Sequence, residues 1–229
     1  MRILVLGAGG MLGHTMFRRL GANSAWQVYG TLRSDGAKRF FPAEMGARLL
    51  TGVDVEHHDT LVQAFVHTRP DTVINCVGLI KQLAAAQDPL KTIPVNALLP
   101  HRLAGLCQLA GARLVHVSTD CVFSGKKGNY RETDPSDASD LYGQSKLLGE
   151  VIYPHTITLR TSMIGHELAG THGLLGWFLA QQGRIKGYTR AVFSGLPTVE
   201  LARVVRDVVL PRPELSGLYH VAGAPIAKY

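Results

Sequence analysis

Apolar and polar positions change their spacing at regular intervals along the chain. Short apolar runs bounded by polar or glycine-rich residues predict β-strands over residues 1–6, 26–32, 48–55, 71–76, 113–118 and 157–160. Apolar residues at helical spacing between these runs predict helices over residues 11–21, 59–68, 88–110 and 140–152. Strands that alternate with helices form parallel sheets, so the pattern predicts a Rossmann-like, doubly wound α/β fold with helices on both faces.

The predicted helix over residues 88–110 contains Pro94 and Pro100, which we expect to kink or break it because proline lacks an N–H donor. After residue 160 the helix and strand patterns cover only short stretches, apart from a predicted helix over 198–210 and a predicted strand over 217–221. We therefore predict a main domain over residues 1–160 and a small lobe over residues 161–229 that covers the strand ends. The chain stops just after the last predicted strand, from which we expect the lobe to be truncated.

Three glycines lie where the first predicted strand leads into the first predicted helix. Gly7, Gly10 and Gly13 have the spacing Gly-x-x-Gly-x-x-Gly. In such a motif the first glycine forms a tight turn, the second lets a pyrophosphate approach the backbone, and the third lets the helix pack close to the sheet. The unpaired N–H groups of the first helical turn, at Met11 and Leu12, then face the phosphates. Glycine-rich turns are common, but this position favours a dinucleotide-binding turn over a purely structural one.

Arg33 and Ser34 follow the second predicted strand, where a Rossmann fold meets the adenosine ribose of its cofactor. A guanidinium and a hydroxyl suit the 2′-phosphate of NADP, whereas an acidic residue at this point accepts a hydrogen bond from the 2′-hydroxyl of NAD. These residues therefore predict NADP as the cofactor. NAD stays possible, because Arg33 is alternatively a solvated loop residue and Asp35 is close enough in sequence to bend back.

A tyrosine and a lysine with catalytic potential lie on the predicted helix over 140–152. Tyr142 and Lys146 are four residues apart, so both side chains point from the same helix face. An ammonium beside a phenol, whose pKa is about 10 when free, stabilises the phenolate and permits proton exchange near neutral pH. Thr119 adds a hydroxyl at the end of a predicted strand. The alternative is a half-exposed helix face on which a cation lies near an aromatic ring.

The candidate residues converge on one edge of the predicted sheet. Gly7, Arg33, Asp54, Asn75 and Thr119 each lie at the carboxyl end of a predicted strand. Ligands of open parallel sheets bind beyond the carboxyl ends of the strands. We therefore predict that these residues surround one site.

Composition and charge narrow the class of partner. The chain has 229 residues, of which 46% are hydrophobic and 18% charged, as in a globular domain with a sizeable core. The formal net charge is +7, but the Lys and Arg residues are spread along the chain, which argues against nucleic acid as a partner. A basic protein also attracts polyanionic small molecules, so we expect a phosphate-bearing cofactor and substrate.

Other features of the sequence indicate the cellular compartment of the protein and whether it binds a metal. Met1 leads directly into a predicted strand with no cationic segment before it, from which we expect no signal peptide. No apolar run reaches the ~18 residues of a membrane span. Cys76, Cys107 and Cys121 lack Cys-x-x-Cys spacing, which predicts reduced, buried thiols in a cytoplasmic protein. The histidines show no metal-ligand spacing, and we predict no metal site.

Together these motifs resemble the extended short-chain dehydrogenase/reductase family, and within it the dTDP-4-dehydrorhamnose reductases and their sugar-nucleotide-binding relatives. The resemblance spans nearly the whole chain, and it is carried by residues 6–13, 74–78, 95–97, 118–125, 130–134, 142–150, 159–162 and 195–198. It implies an NAD(P)-binding Rossmann domain over residues 1–160 and a substrate-binding lobe over residues 161–229.

The resemblance also implies roles for particular residues. Thr119 is expected to hydrogen-bond the substrate carbonyl, Tyr142 to donate the proton, and Lys146 to hold the nicotinamide ribose and lower the pKa of the tyrosine. A larger set is expected at the cofactor: Gly7, Gly10, Met11, Leu12 and Gly13 at the pyrophosphate, Arg33 and Ser34 at the ribose phosphate, Asp54 and Val55 beside the adenine, Asn75, Cys76, Val77 and Gly78 along the cleft, and Asn96 in support of the active site.

The implied activity is reduction by NADPH of a 4-keto-6-deoxy sugar nucleotide in deoxysugar and cell-surface polysaccharide biosynthesis, with a homodimer possible. Cys121 stands where the rhamnose enzymes often have a tyrosine, and Ser124 where they often have an acid, so the sugar stays open. One alternative is an epimerase or dehydratase of sugar nucleotides, for which Asp120 is a candidate acid with no second acid beside it. The other is a non-catalytic subunit, like the family members that regulate methionine adenosyltransferase.

Overall fold

The computed structural model describes residues 1–228. Within that range it contains eleven β-strands: β1 (Arg2–Leu6), β2 (Gln27–Thr31), β3 (Leu49–Leu50), β4 (Thr72–Asn75), β5 (Arg113–Ser118), β6 (Thr156–Arg160), β7 (Met163–Ile164), β8 (Tyr188–Phe193), β9 (Leu196–Pro197), β10 (Gly217–His220) and β11 (Ile226–Lys228). The same range contains seven α-helices: α1 (Met11–Gly21), α2 (His58–Thr68), α3 (Pro89–Thr92), α4 (Leu99–Ala110), α5 (Leu141–Leu148), α6 (Leu174–Leu179) and α7 (Thr198–Val204). Shorter 3₁₀-helical segments run over Asp35–Phe40, Ala43–Arg48, Ala84–Gln87 and Asp120–Val122, and π-helical segments over Ile93–Leu98 and Val205–Val209.

Seven of the strands form one parallel sheet in the order β3–β2–β1–β4–β5–β6–β10. The chain moves outward from β1 first to one side and then to the other, so the strand order reverses between β1 and β4. This arrangement confirms the predicted Rossmann-like, doubly wound fold. The remaining strands form two pairs, β7 with β9 and β8 with β11.

The first strand shows how both faces of the sheet are covered. Successive side chains of a strand point to opposite faces. Ile3 belongs to a hydrophobic cluster with Phe17 of α1, and its neighbour Leu4 belongs to a second cluster with Leu61 of α2 and Leu103 of α4. All five side chains are at most 2% exposed. Burial on both faces explains why the strand is a continuous apolar run instead of an alternating one.

Residues after 160 contribute to this central body. The helix α7 packs against α1, with Thr15 Oγ1 donating to Thr198 Oγ1 at 3.2 Å. The strand β10 pairs with β6. The predicted helix over 198–210 is therefore present as α7 and the π-helical segment that follows it, and the predicted strand over 217–221 as β10. The division into two domains at residue 160 stays a prediction.

The third predicted strand, over residues 48–55, is wrong for most of its length, because β3 contains only Leu49–Leu50. Gly52 adopts a left-handed φ of 72°, which turns the chain. Val53 then donates its N–H to the carbonyl oxygen of Leu32 at 3.2 Å, beyond the end of β2. Apolar spacing alone does not report a turn of this kind.

The predicted helix over residues 88–110 is helical along its length but irregular. It consists of α3, a π-helical segment and α4. Pro94 lies in the π-helical segment and Pro100 in the first turn of α4. The expected interruption of the regular helix is therefore confirmed, since each proline removes a backbone donor.

The three cysteines differ in exposure. Cys107 is buried, Cys76 is partly buried and Cys121 is exposed. The prediction of three buried thiols is therefore wrong for Cys121, which lies on a 3₁₀-helical turn after β5.

In the described part of the chain no helix is both long and apolar enough to cross a membrane. Residues 1–228 also contain no group of three or more His, Cys, Asp or Glu side chains placed to hold a metal ion.

The turn between β1 and α1 is built from close backbone contacts. Gly7 has a φ of 78° and donates its N–H to Thr31 Oγ1 at 3.0 Å. Gly10 donates its N–H back to the carbonyl oxygen of Gly7 at 2.9 Å. A Cβ atom on Gly13 would overlap that same carbonyl oxygen, so no other residue fits there without displacing the helix. The first turn of α1 is thereby held at the carboxyl edge of the sheet.

A buried ion pair ties the segment after α5 to the sheet. Arg160, the last residue of β6, donates from Nε to Glu150 Oε1 at 2.8 Å and from a terminal nitrogen to Oε2 at 2.7 Å. Ser118 of β5 donates to Oε1 at 2.8 Å. The two charged side chains are only 6% and 7% exposed, and the guanidinium lies 5.0 Å from the centre of the Phe123 ring. These contacts hold α5 against the carboxyl ends of β5 and β6.

We expect Glu150→Gln to lower the free energy of unfolding by about 3–5 kcal/mol, because it leaves the buried guanidinium of Arg160 without a counter-charge. Chemical denaturation measures the change. The matched control is Glu200→Gln, which breaks the exposed pair between Glu200 and Arg203, 2.8 Å apart. That control should lose less than about 1 kcal/mol. Equal losses in the two variants would contradict the role given to burial.

Candidate active site

Two clefts adjoin at the carboxyl edge of the sheet. The inner cleft has a volume of about 300 Å³ and is lined by Gly10, Met11, Leu12, Cys76, Val77, Gly78, Leu79, Ile80, Leu83, Val117, Ser118, Tyr142, Lys146, Met163, Glu167, His172 and Gly173. The outer cleft, of about 260 Å³, is lined by Gly7, Gly9, Gly10, Thr31, Leu32, Arg33, Val53, Val55, Cys76, Val77 and Gly78. The clefts share Gly10 and residues 76–78, so an elongated ligand fits across both. A larger groove of about 490 Å³, lined by residues of α2 and α4, contains none of the predicted site residues.

Tyr142 and Lys146 reach the inner cleft from one face of α5. Asp140 begins this helix by accepting the N–H of Gly143 at Oδ1, 2.9 Å away, and its Oδ2 pairs with Lys81 Nζ at 2.9 Å. The helix is shorter than the predicted 140–152 and ends at Leu148. Lys146 is only 5% exposed, and its Nζ donates to the carbonyl oxygen of Val117 at 2.9 Å. The four-residue spacing therefore places both groups as the sequence predicted.

Thr119 meets Tyr142 from the end of β5. Its Oγ1 accepts the N–H of Cys121 at 3.1 Å, and the hydroxyl lies near enough to Tyr142 to act on the pKa of the phenol. This contact requires α5 to lie directly on the turn after β5. A Cβ atom on Gly143 would overlap the carbonyl oxygen of Cys121, so the glycine beside Tyr142 permits the approach. The structure thus brings together the hydroxyl, the phenol and the ammonium that the motifs singled out.

Burial shifts the two titrating groups in opposite directions. It raises the pKa of Tyr142 to about 12, although the hydrogen bond with Thr119 acts to lower it. It lowers the pKa of Lys146 to about 8, although Glu150 acts to raise it. At neutral pH the phenol is therefore protonated and the lysine is mainly charged. The pKa of Tyr142 is therefore raised and not lowered as the resemblance implied, and the arrangement favours a phenol that donates a proton.

Arg33 is placed at the outer cleft together with Val55, as predicted for residues near the adenosine part of a cofactor. Asp35, the acidic residue that offered an alternative, pairs with Lys38 Nζ at 2.9 Å. The hydrogen bond from Lys38 lowers the pKa of Asp35. Asp35 therefore already has a cationic partner in its own turn.

Some predicted site residues lie beside or beneath the clefts. Among residues 1–228, the predicted residues that belong to neither lining are Gly13, Ser34, Asp54, Asn75, Asn96 and Thr119. Asn75 is fully buried, so the expectation that it lines the cofactor cleft is wrong. Asn96 accepts the N–H of Leu79 at 2.9 Å and donates to the carbonyl oxygen of the same residue at 3.0 Å. These two asparagines hold the lining segments in place and do not face the clefts.

Sequence reasoning missed one wall of the inner cleft. Met163, Glu167 and His172 line it from the segment that follows β6. This segment is held to α1, since His14 donates from Nε2 to the carbonyl oxygen of His166 at 2.8 Å. Glu167 also accepts the N–H of Gly173 at 2.8 Å. No local motif marks these residues, because only the return of the chain over the sheet brings them to the cleft.

Comparisons with known proteins agree with this fold. The dTDP-4-dehydrorhamnose reductase of Aggregatibacter actinomycetemcomitans is 26% identical over 238 residues, covering 100% of this chain and 75% of that protein. The structure of a hypothetical dTDP-4-dehydrorhamnose reductase from Sulfolobus tokodaii has a TM-score of 0.82 and 25% identity, with 100% of this chain and 79% of that chain covered. The reductase of Bacillus anthracis, in complex with NADP, has a TM-score of 0.78 and 23% identity over 99% of this chain and 77% of that chain, which shows a common fold.

A family model gives the broadest match. The model of the RmlD substrate binding domain matches residues 1–228. That range includes both clefts and the elements that hold them, and the match confirms the family predicted from the motifs. The chain therefore belongs to the RmlD substrate binding domain family.

Proposed function

We propose that this protein is an NADPH-dependent reductase that converts the 4-keto group of a 4-keto-6-deoxy sugar nucleotide into a hydroxyl group in deoxysugar biosynthesis. The observation that carries the proposal is the meeting of Thr119, Tyr142 and Lys146 beside a cleft that continues past the glycine turn to Arg33. A phenol, a hydroxyl and an ammonium together are suited to protonating a carbonyl oxygen. Relatives named as dTDP-4-dehydrorhamnose reductases support the substrate class.

The residues of the two clefts suit a nicotinamide dinucleotide. The first turn of α1, at Met11 and Leu12, would hold the pyrophosphate through its backbone N–H groups. Arg33 would hold the 2′-phosphate, and Val55 would pack beside the adenine. Lys146 would hold the nicotinamide ribose. When bound, the cofactor supplies the hydride that adds to the carbonyl carbon.

Tyr142 supplies the proton in this mechanism. Its raised pKa keeps the phenol protonated at neutral pH, so the hydroxyl donates to the carbonyl oxygen as the carbon is reduced, which leaves an alcohol and a tyrosine phenolate. The ammonium of Lys146 stabilises the phenolate. Thr119, whose hydroxyl lies near Tyr142, would donate to the same carbonyl oxygen. A proton from solvent then restores the phenol.

An epimerase or a dehydratase on the same fold is the alternative enzyme. Asp120, the acidic residue beside Thr119, accepts hydrogen bonds from Ser162 Oγ at 2.6 Å and from Thr119 Oγ1 at 3.4 Å. Both contacts are made at Oδ1, so Asp120 is held by neighbouring hydroxyl groups, and there is no second acidic residue beside it in the sequence. Purified protein that carries bound NAD and oxidises no added NADPH would favour the alternative. A cytoplasmic location, a homodimer and the regulatory role stay predictions from the sequence.

We expect Tyr142→Phe to lower kcat by about 10²–10⁴-fold, because the phenylalanine ring has no proton to donate. The NADPH dissociation constant should change by less than about twofold, since the rest of the cleft is retained. NADPH oxidation, followed with a 4-keto-6-deoxy sugar nucleotide generated in situ, measures turnover, and fluorescence titration measures binding. Tyr153→Phe is the matched control, because Tyr153 contacts His101 on the surface, 3.0 Å away, and should keep full activity. Normal turnover by the Tyr142 variant would exclude the mechanism.

The pKa of Lys146, lowered by burial to about 8, predicts a pH dependence. The ammonium is present below this pH and is lost above it, so kcat/KM for reduction should fall about tenfold per pH unit above pH 8. Because the pKa of Tyr142 is about 12, the phenol stays protonated over the pH range in which Lys146 loses its proton. The kcat/KM of Lys146→Arg, whatever its absolute value, should stay constant up to about pH 10, because arginine stays charged. A flat wild-type profile from pH 7 to pH 10 would refute this assignment.

Cofactor choice tests the role of Arg33. We expect Arg33→Ala to reduce the ratio of kcat/KM for NADPH to that for NADH by about 10–100-fold, because a charge-assisted contact with the 2′-phosphate contributes about 1.5–3 kcal/mol. Steady-state kinetics with both cofactors measure the ratio. Arg39→Ala removes the same charge from an exposed residue that lies over the Phe40 ring, 4.8 Å away, and should leave the ratio unchanged. An unchanged ratio in the Arg33 variant would point to another determinant.

A further inference from the structure

A buried histidine that the proposed reaction does not use lies beneath the inner cleft. His116 is on β5, and its ring is fully buried. Its partner in the parallel register is Asn75, the last residue of β4, which is also fully buried. Buried polar side chains of this kind are retained where their hydrogen bonds hold something in place.

The two side chains form a hydrogen-bonded chain with a fixed polarity. Asn75 accepts the N–H of Val77 at Oδ1, 3.1 Å away, so its amide nitrogen points the other way. That nitrogen donates to His116 Nδ1 at 3.2 Å. Nδ1 must therefore carry no proton. The neutral ring carries its proton on Nε2, which is buried and has no hydrogen-bond partner among the described residues. The opposite amide orientation would place an NH₂ group against the N–H of Val77.

The surroundings keep the ring in this form. Burial, together with the nearby charge of Lys146, lowers the pKa of His116 well below its ordinary value. A protonated ring would present Nδ1–H to the amide donor of Asn75, which would break the chain. The histidine is therefore a permanent acceptor at neutral pH, whereas most side chains of similar size at this place would leave Asn75 without one.

The segment that the chain holds, residues 76–78, lies between the two parts of the site. It lines both the inner and the outer cleft. The Cγ2 atom of Val77 lies 2.8 Å from the position of a Cβ on Gly7, so this side chain packs against the glycine turn. The Cβ position of Gly78 lies 4.0 Å from Lys146 Nζ. A shift of Val77 would therefore disturb the floor on which a dinucleotide lies.

We propose that His116 is a positioning residue for the cofactor: by accepting from Asn75 it fixes the amide that holds the Val77 N–H, and so fixes residues 76–78 along both clefts. This inference rests on the proposed function, because it assigns the clefts to a nicotinamide dinucleotide. His116 touches neither cofactor nor substrate and acts through Asn75 alone.

Two substitutions separate the acceptor from the volume of the ring. His116→Leu fills a similar space but has no acceptor, and we expect it to raise the dissociation constant and the KM for NADPH about tenfold, while kcat at saturating NADPH changes less than threefold. His116→Asn leaves more empty space but places an amide oxygen where Nδ1 was, and NADPH binding should stay within about threefold of wild type. If packing alone mattered, the asparagine variant would bind NADPH more weakly than the leucine variant. That order would overturn the proposal.

A double-mutant cycle tests whether the effect passes through Asn75. Against an Asn75→Ala background, His116→Leu should weaken NADPH binding by less than twofold further, because the donor that needs the acceptor is gone. Independent, multiplying effects of the two substitutions would overturn the proposal. Wild-type protein that neither binds NADPH nor oxidises it would instead refute the proposed function, whereas normal wild-type activity with unaffected variants would refute this inference alone.

A measurement on the wild-type protein tests the same proton position without depending on whether a variant folds. In ¹⁵N-histidine-labelled protein at neutral pH, the ring nitrogens of His116 should report a neutral ring with the proton on Nε2, with and without NADPH. A proton on Nδ1, or a charged ring, would leave Asn75 without its acceptor and would overturn the proposal.

Discussion

Polar side chains buried beneath the carboxyl edge of the sheet set the geometry on which the rest of the site depends. A buried polar group left without a partner is destabilising by about 1–3 kcal/mol, so pairing of such groups restricts where the surrounding elements lie. Asn96 joins the π-helical segment before α4 to Leu79, and Glu150 joins the end of α5 to Arg160 of β6. Each contact joins two different elements of the chain. The clefts therefore keep their shape through contacts that lie below their surface, away from solvent.

Lys146 shows that this geometry is held at the expense of stability. Burial lowers its pKa to about 8 from the ordinary value of 10.5, so at neutral pH the folded protein holds a charge that water would solvate better. The unfolded chain binds this proton more tightly than the folded protein does. The buried charge therefore destabilises the fold fully below about pH 8, and this destabilisation decreases as the pH rises toward 10.5. The proposed reaction would use this buried ammonium, and conflicts of this kind between activity and stability are common.

The parts of the site that were predictable from the sequence are those set by local geometry. Gly7 and Gly13 are joined by one turn and the start of one helix, and Tyr142 and Lys146 by one helical turn, so their spacing alone places them. Asn75 was predicted to line the cofactor cleft, yet its side chain is buried against His116 of the neighbouring strand. The contacts that a side chain makes at a strand end depend on the register with the next strand, which no local pattern records.

The inner cleft also has two parts, of which the sequence predicted only one. The chemical part, with Tyr142 and Lys146, is held by the sheet and by α5. The opposite wall, with Met163 and Glu167, belongs to a segment held to α1 through the carbonyl oxygen of His166. This segment is separate in the chain from the groups that transfer the proton in the proposed reaction. Motifs on the sheet therefore indicate the class of reaction, whereas the residues of the opposite wall belong to a segment that carries no motif.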